Sequence, residues 1–145
     1  MKLIGQKYAI RIVRQNKGSA IITIDGIKTD LVSIQGSWLK PPVISEGIIM
    51  AGLEDIATMK LLAITNRGRK RDFFDLYFLL KQFSLEQLIG LFQQTFKRHE
   101  LFMLTQSLVY FEDAENDEEP NLLEENVSWK QVKEKIKAEV RTFHG

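Results

Sequence analysis

Four residues of this chain carry charge where charge is hard to place: Asp30 in a β-branched run, Lys60 beside an apolar helical stripe, and Asp72 and Asp75 inside "RDFFDLYFLL", residues 71–80. Aspartates three apart on a helix are surface neighbours, so both carboxylates open onto one place. Acids also favour the first turn of any helix and pair with nearby bases such as Arg69 or Arg71. That suffices for one aspartate, whereas two on the only polar strip of an apolar helix point to a site. Asp30 reads in two ways: as an edge-strand charge that discourages aggregation, or as a metal-binding carboxylate on a rigid strand. Lys60, one turn after Ile56, reads as a lysine snorkelling along a helix flank.

Composition narrows the chemistry. The chain has 145 residues, 44% hydrophobic and 27% charged, which describes one domain of 1–145 able to bury a core. No cysteine is present, which excludes disulfides, thiolate metal sites and a cysteine nucleophile. The histidines, His99 and His144, stand apart from every other candidate, which argues against triad or zinc chemistry. Lys2, Lys7, Arg11 and Arg14 interrupt the N-terminal stretch, and no later segment is apolar enough to span a bilayer, so the expected location is the cytoplasm with no membrane partner. A near-neutral total hides an asymmetry: residues 1–71 hold 12 Lys/Arg against 5 Asp/Glu, and residues 72–145 hold 8 against 14. The basic half suits phosphate-rich ligands, or the two halves simply attract each other.

The elements that must position these residues fall in two parts, an α+β arrangement with a small antiparallel β-meander (1–36) followed by about five helices (53–145). "YAIRIVR", "SAIITID" and "IKTDLVSI" read as strands, with Asp25-Gly26 as a two-residue hairpin turn and Asp30 on the face of Val32 and Ile34. Prolines 41 and 42, between Gly36 and Gly47, predict an extended connection. A first helix over about 53–66 has Glu54 and Asp55 at its start and Ile56, Met59 and Ala63 as its buried stripe. A second, about 70–82, is apolar nearly all round through Phe73, Phe74, Leu76, Tyr77, Phe78 and Leu80, and so is largely buried. Ser84-x-x-Gln87 caps a third helix, a fourth runs from about Glu100 to Tyr110, and Ser128-x-x-Gln131 caps a last one on Trp129, Val132, Ile136 and Val140, ending near Arg141. The acidic stretch 111–126, including Glu124 and Glu125, reads as a solvated loop.

"GIKTDLVSI", "LKPPVISEGIIMAGLEDIATMKLLAITNRGRKRDFFDLYFLL" and "LTQSLVYFEDAE" resemble the C-terminal two-thirds of the nucleotidyltransferase AbiEii/AbiGii toxin family. The resemblance covers almost the whole chain. It implies a partial polymerase-β-like fold, transfer from an NTP to RNA, Mg²⁺ as cofactor, and an antitoxin partner. Residue by residue, it implies that Asp30 is the third carboxylate of the metal site, Lys60 the cation for the NTP phosphates, and Asp75 or Asp72 the acid of the last motif. Arg67, Arg69, Lys70 and Arg71 would then neutralise triphosphate or RNA backbone.

The departure from the family pattern is equally informative. The family's Gly-Ser turn and Asp-x-Asp pair, which supply most ligands of a two-Mg²⁺ centre, have no counterpart before Asp30. Losing even one stabilising group of such a centre costs about 10²-fold or more in rate, so this chain is expected to be inactive or nearly so alone. Two expectations follow. Either the chain is the C-terminal part of a nucleotidyltransferase lacking its N-terminal catalytic segment, or it is a non-catalytic binding module for an antitoxin, nucleotide or RNA. A meander without neighbouring strands also exposes apolar edges, which predicts a homo-oligomer or a partner strand.

Overall fold

The computed structural model describes residues 7–33, 38–96, 101–123 and 126–144. Lys2, Ile34, Gly36, His99, Glu100, Glu124 and Glu125, named above, lie outside them. The chain forms two compact units, residues 1–36 and 37–145.

The first unit is a meander of β1 (Ile10–Gln15), β2 (Ser19–Ile24) and β3 (Ile27–Val32), antiparallel in the order β1-β2-β3. Asn16 closes the first turn, its Oδ1 accepting from the Gly18 and Ser19 amides at 3.0 and 2.8 Å. Asp25 and Gly26 close the second with φ of +48° and +85°, the left-handed pair that a two-residue hairpin with matching twist demands. Cross-strand partners share a face. The register pairs Ile10 with Ile24, Ile12 with Ile22, Ala20 with Leu31, and Ile24 with Ile27, which makes one face apolar. The opposite face carries Arg11, Arg14 and Lys28 around Asp30, whose cross-strand partner is Ile21.

The second unit opens with a hairpin of β4 (Val43–Ser45) and β5 (Ile48–Met50), where proline content predicted only an extended connection. "VISEGIIM" has β-branched Val43-Ile44 before and Ile48-Ile49 after the turn at Glu46-Gly47, and both turn residues take positive φ, +49° and +80°. The prolines precede β4 and remove no ladder donor, so they delimit the strand without forbidding it.

Among the described residues five α-helices follow: α1 (Leu53–Arg67), α2 (Lys70–Leu79), α3 (Leu85–Thr95), α4 (Leu101–Val109) and α5 (Trp129–His144), giving the α+β class read from the sequence. Both capping boxes form: Ser84 with Gln87, and Ser128 with Gln131. The core combines Leu61 and Ile64 of α1, Phe73 and Leu76 of α2, Leu88 and Phe92 of α3, Leu104 and Leu108 of α4, and Val132 and Ile136 of α5. The α1 stripe differs from expectation: Ala57, Thr58, Leu61 and Ile64 are buried, while Ile56 and Met59 are exposed. Both stripes keep helical spacing, and a helix apolar on two sides leaves the choice to its neighbours.

The acidic stretch is likewise more ordered than its charge suggested. Phe111 and Ala114 are buried around a 3₁₀ turn at Glu112–Ala114. The Phe111 ring lies 5.0 Å from Phe73 and 5.6 Å from Trp129. Composition records the charge of a loop and not the partners waiting for it.

Candidate functional site

Lys60 and Arg67 stand seven residues apart on α1, two turns and therefore one face. Gly68 ends that helix at φ +48°, its amide donating back to Ala63 O at 3.3 Å, and α2 starts two residues later. This short αL stop turns the chain so that the first turn of α2 meets the basic face of α1.

The result is a cluster of two acids and two bases. Lys60 Nζ lies 2.5 Å from Asp75 Oδ2 and 3.5 Å from Asp72 Oδ1, and Arg67 Nε lies 3.3 Å from Asp72 Oδ2. Asp72 has no exposed side-chain surface, whereas Asp75 is half exposed and Lys60 is 30% exposed. Asp72 therefore faces one base with each carboxylate oxygen. Its Oδ2 contact with Arg67 is an ion pair without hydrogen-bond geometry, and that oxygen is the one buried side-chain polar atom without a hydrogen bond among the described residues. Burying a lone carboxylate is costly, so two flanking cations are what keep Asp72 charged inside the fold. The sequence suggested Arg69 or Arg71 as partners of these acids. Lys60 and Arg67 take that place, and their i, i+7 spacing was the legible signal.

The remaining bases divide. Lys70 is buried, its Nζ donating to the carbonyls of Asp117 and Glu115 at 2.5 and 3.1 Å and lying 5.5 Å from the Trp129 ring. Arg69 Nη1 is 2.8 Å from Asp117 Oδ1, and Asp117 Oδ2 accepts from the Lys70 amide at 3.1 Å. That amide bond above all, with Arg69 beside it, holds the Asp117 carboxyl below its usual range. Glu115 is lowered chiefly by its hydrogen bond from Lys133, and also by Trp129 Nε1, which donates at 2.5 Å. Arg69 and Lys70 thus fasten the acidic loop to the start of α2, Trp129 and Lys133 fasten it to α5, and Arg67 and Arg71 are exposed. One acid escaped notice beyond its place in a first turn: Asp55, 4% exposed, accepts from the Leu39 and Lys40 amides at 2.8 and 3.2 Å.

Asp30 stands exposed on the edge strand β3, on a sheet face shared with three bases. Among the described residues no three acids or histidines converge to hold a metal ion. With Asp72 and Asp75 already neutralised by Lys60 and Arg67, these residues by themselves do not fit a divalent cation. What the cluster can do is present an ammonium. A lysine has three donors; two carboxylates orient this one, and its partial exposure leaves it open to an incoming anion.

Residues 17–144 match the family described as "Nucleotidyl transferase AbiEii toxin, Type IV TA system", and the chain belongs to that family of nucleotidyltransferase toxins. It is also 33% identical over 138 residues to the uncharacterized protein aq_aa25 of Aquifex aeolicus (strain VF5), a match covering 92% of this chain. The chain spans 66% of that relative's length. No solved structure matches significantly. No helix among the described residues is long and apolar enough to cross a membrane.

Proposed function

We propose that this chain serves a Mg²⁺-dependent transfer of a nucleotide from an NTP to RNA, with Lys60 as the cation that meets the NTP phosphates. The single observation that carries the reading is the ammonium of Lys60 fixed between buried Asp72 and half-exposed Asp75 on two helices. Burying Asp72 carries a desolvation cost that Lys60 and Arg67 together offset, and the same contacts hold the amine in place. Asp72 and Asp75 position the amine, and Arg67 and Arg71 extend the positive surface toward triphosphate or RNA backbone. Arg69 contributes through its exposed part, while Lys70 acts by holding the loop. Asp30 enters as the third metal carboxylate on family resemblance alone, as do Mg²⁺ itself, the polymerase-β-like fold, an antitoxin partner and a cytoplasmic place of work.

The acids described here do not build a two-metal centre, so the 145-residue chain binds NTP with little or no transfer of its own. That same observation favours the second reading, a non-catalytic module holding nucleotide, RNA or antitoxin. The exposed edges of the β-meander and the apolar β4–β5 hairpin suit a second copy of the chain, giving a homo-oligomer.

Labelled NTP, Mg²⁺ and total RNA separate these readings. NTP retention without label transfer, lost in Lys60→Ala, is the expected result. Transfer abolished by Asp30→Ala would overturn the catalytic incompleteness, and no retention by the wild-type chain would overturn the nucleotide reading itself.

A further inference from the structure

A cleft separate from the Lys60 ammonium lies between the C-terminal end of α1 and the last turn of α4. Its volume is about 240 Å³, and it is lined by Asn66, Arg67, Gln106, Ser107, Tyr110 and Asp113 among others. Three of its properties select a ligand. First, its one cation, Arg67, already pairs with Asp72, and an anion, Asp113, lines it too, so it favours a neutral ligand group over a phosphate. Second, its polar groups are those that read flat heterocycles: the amides of Asn66 and Gln106 each carry donors and an acceptor, and the half-exposed Tyr110 supplies an aromatic face. The Thr65 and Ser107 hydroxyls already donate to the Leu61 and Met103 carbonyls, leaving lone pairs to accept. Tyr110 donates its hydroxyl to Glu112 at 3.2 Å, a bond that raises the Tyr110 pKa. Third, the volume, below the roughly 300 Å³ at which pockets for drug-sized ligands begin, suits one planar ring system, with the rest of a nucleotide left outside. Arg67 belongs to both places, pairing with buried Asp72 on one side and lining the cleft on the other.

We propose that this cleft is a nucleobase site, with Tyr110 as stacking platform and Asn66 and Gln106 as edge readers. It rests on the nucleotide reading above. The base belongs either to the NTP or to an unpaired nucleotide of RNA, and the two sources share one chemistry.

The test measures binding of an NTP, of inorganic triphosphate, and of a short single-stranded RNA with and without abasic positions, to the wild type, Tyr110→Ala and Gln106→Ala. Removing a stacking ring weakens base binding roughly tenfold. The expected result is such a loss for at least one base-bearing ligand, with triphosphate and abasic RNA unaffected. Loss for the NTP alone assigns the site to the donor base, and loss for RNA alone assigns it to the acceptor. If the wild type binds NTP or RNA and both variants bind equally well, the base site is overturned while the Lys60 reading stands. If the wild type binds none of these ligands, both fall.

Discussion

Asp72 and Asp75 stand one turn apart on α2 and are unlike in the fold, and the difference decides what each substitution does. Asp72 is fully buried between Lys60 and Arg67; Asp75 meets Lys60 at a half-exposed position. Asp72→Asn removes the charge that both bases face and is expected to cost about 1–3 kcal/mol. Asp75→Asn breaks a solvent-screened pair, worth below about 1 kcal/mol. Urea unfolding of the two variants checks the order, and equal losses would contradict the assignment of Asp72 as the structural anchor. The sequence singled out the acids through the narrow polar strip of α2, whereas Lys60 stood out only through the family resemblance. It left open which bases answer them, because Arg69 and Arg71 are closer in sequence than Lys60 and Arg67, and only the turn at Gly68 reveals which are closer in space.

That turn is itself testable. Gly68 holds φ +48°, so Gly68→Ala imposes a left-handed conformation on a residue with a Cβ and should cost about 1–2 kcal/mol in thermal or urea unfolding. A neutral outcome would mean that the α1–α2 turn relaxes freely. The acidic loop gives a pH signature. Glu115 and Asp117 have lowered carboxyl pKa values, so the folded state holds their protons less tightly than the unfolded chain. Their contribution is complete above the ordinary carboxylate value near 4 and is lost as pH falls through the lowered folded values. Glu115→Gln should therefore lower stability at neutral pH and flatten the fall in stability below about pH 4, read from midpoints across that range. The sequence disclosed the helices and caps through periodicity and Ser-x-x-Gln signals. It hid the partners of the loop, because Lys70 and Trp129 are 45 and 14 residues from Glu115. It also hid the β4–β5 hairpin, since Glu46-Gly47 is a weaker turn signal than Asp25-Gly26.

The chain comprises two units, and much apolar surface stays exposed on each: Ile12, Val13, Leu31 and Val32 on the meander, and Val43, Ile44, Ile48 and Ile49 on the hairpin. Exposed strands of this kind recruit further strands. Sedimentation should accordingly find mass above the 16.8 kDa monomer, rising with concentration, and a clean monomer would contradict the homo-oligomer. Membership of a nucleotidyltransferase toxin family and the clamp on Lys60 together make phosphate recognition the central claim. Calorimetric titration of an NTP into the wild-type chain and into Lys60→Ala, each shown folded by circular dichroism, tests it most directly. Saturable binding to the wild type, at least about tenfold weaker without the ammonium, is expected; equal affinity in the two proteins would rule out Lys60 as the phosphate cation.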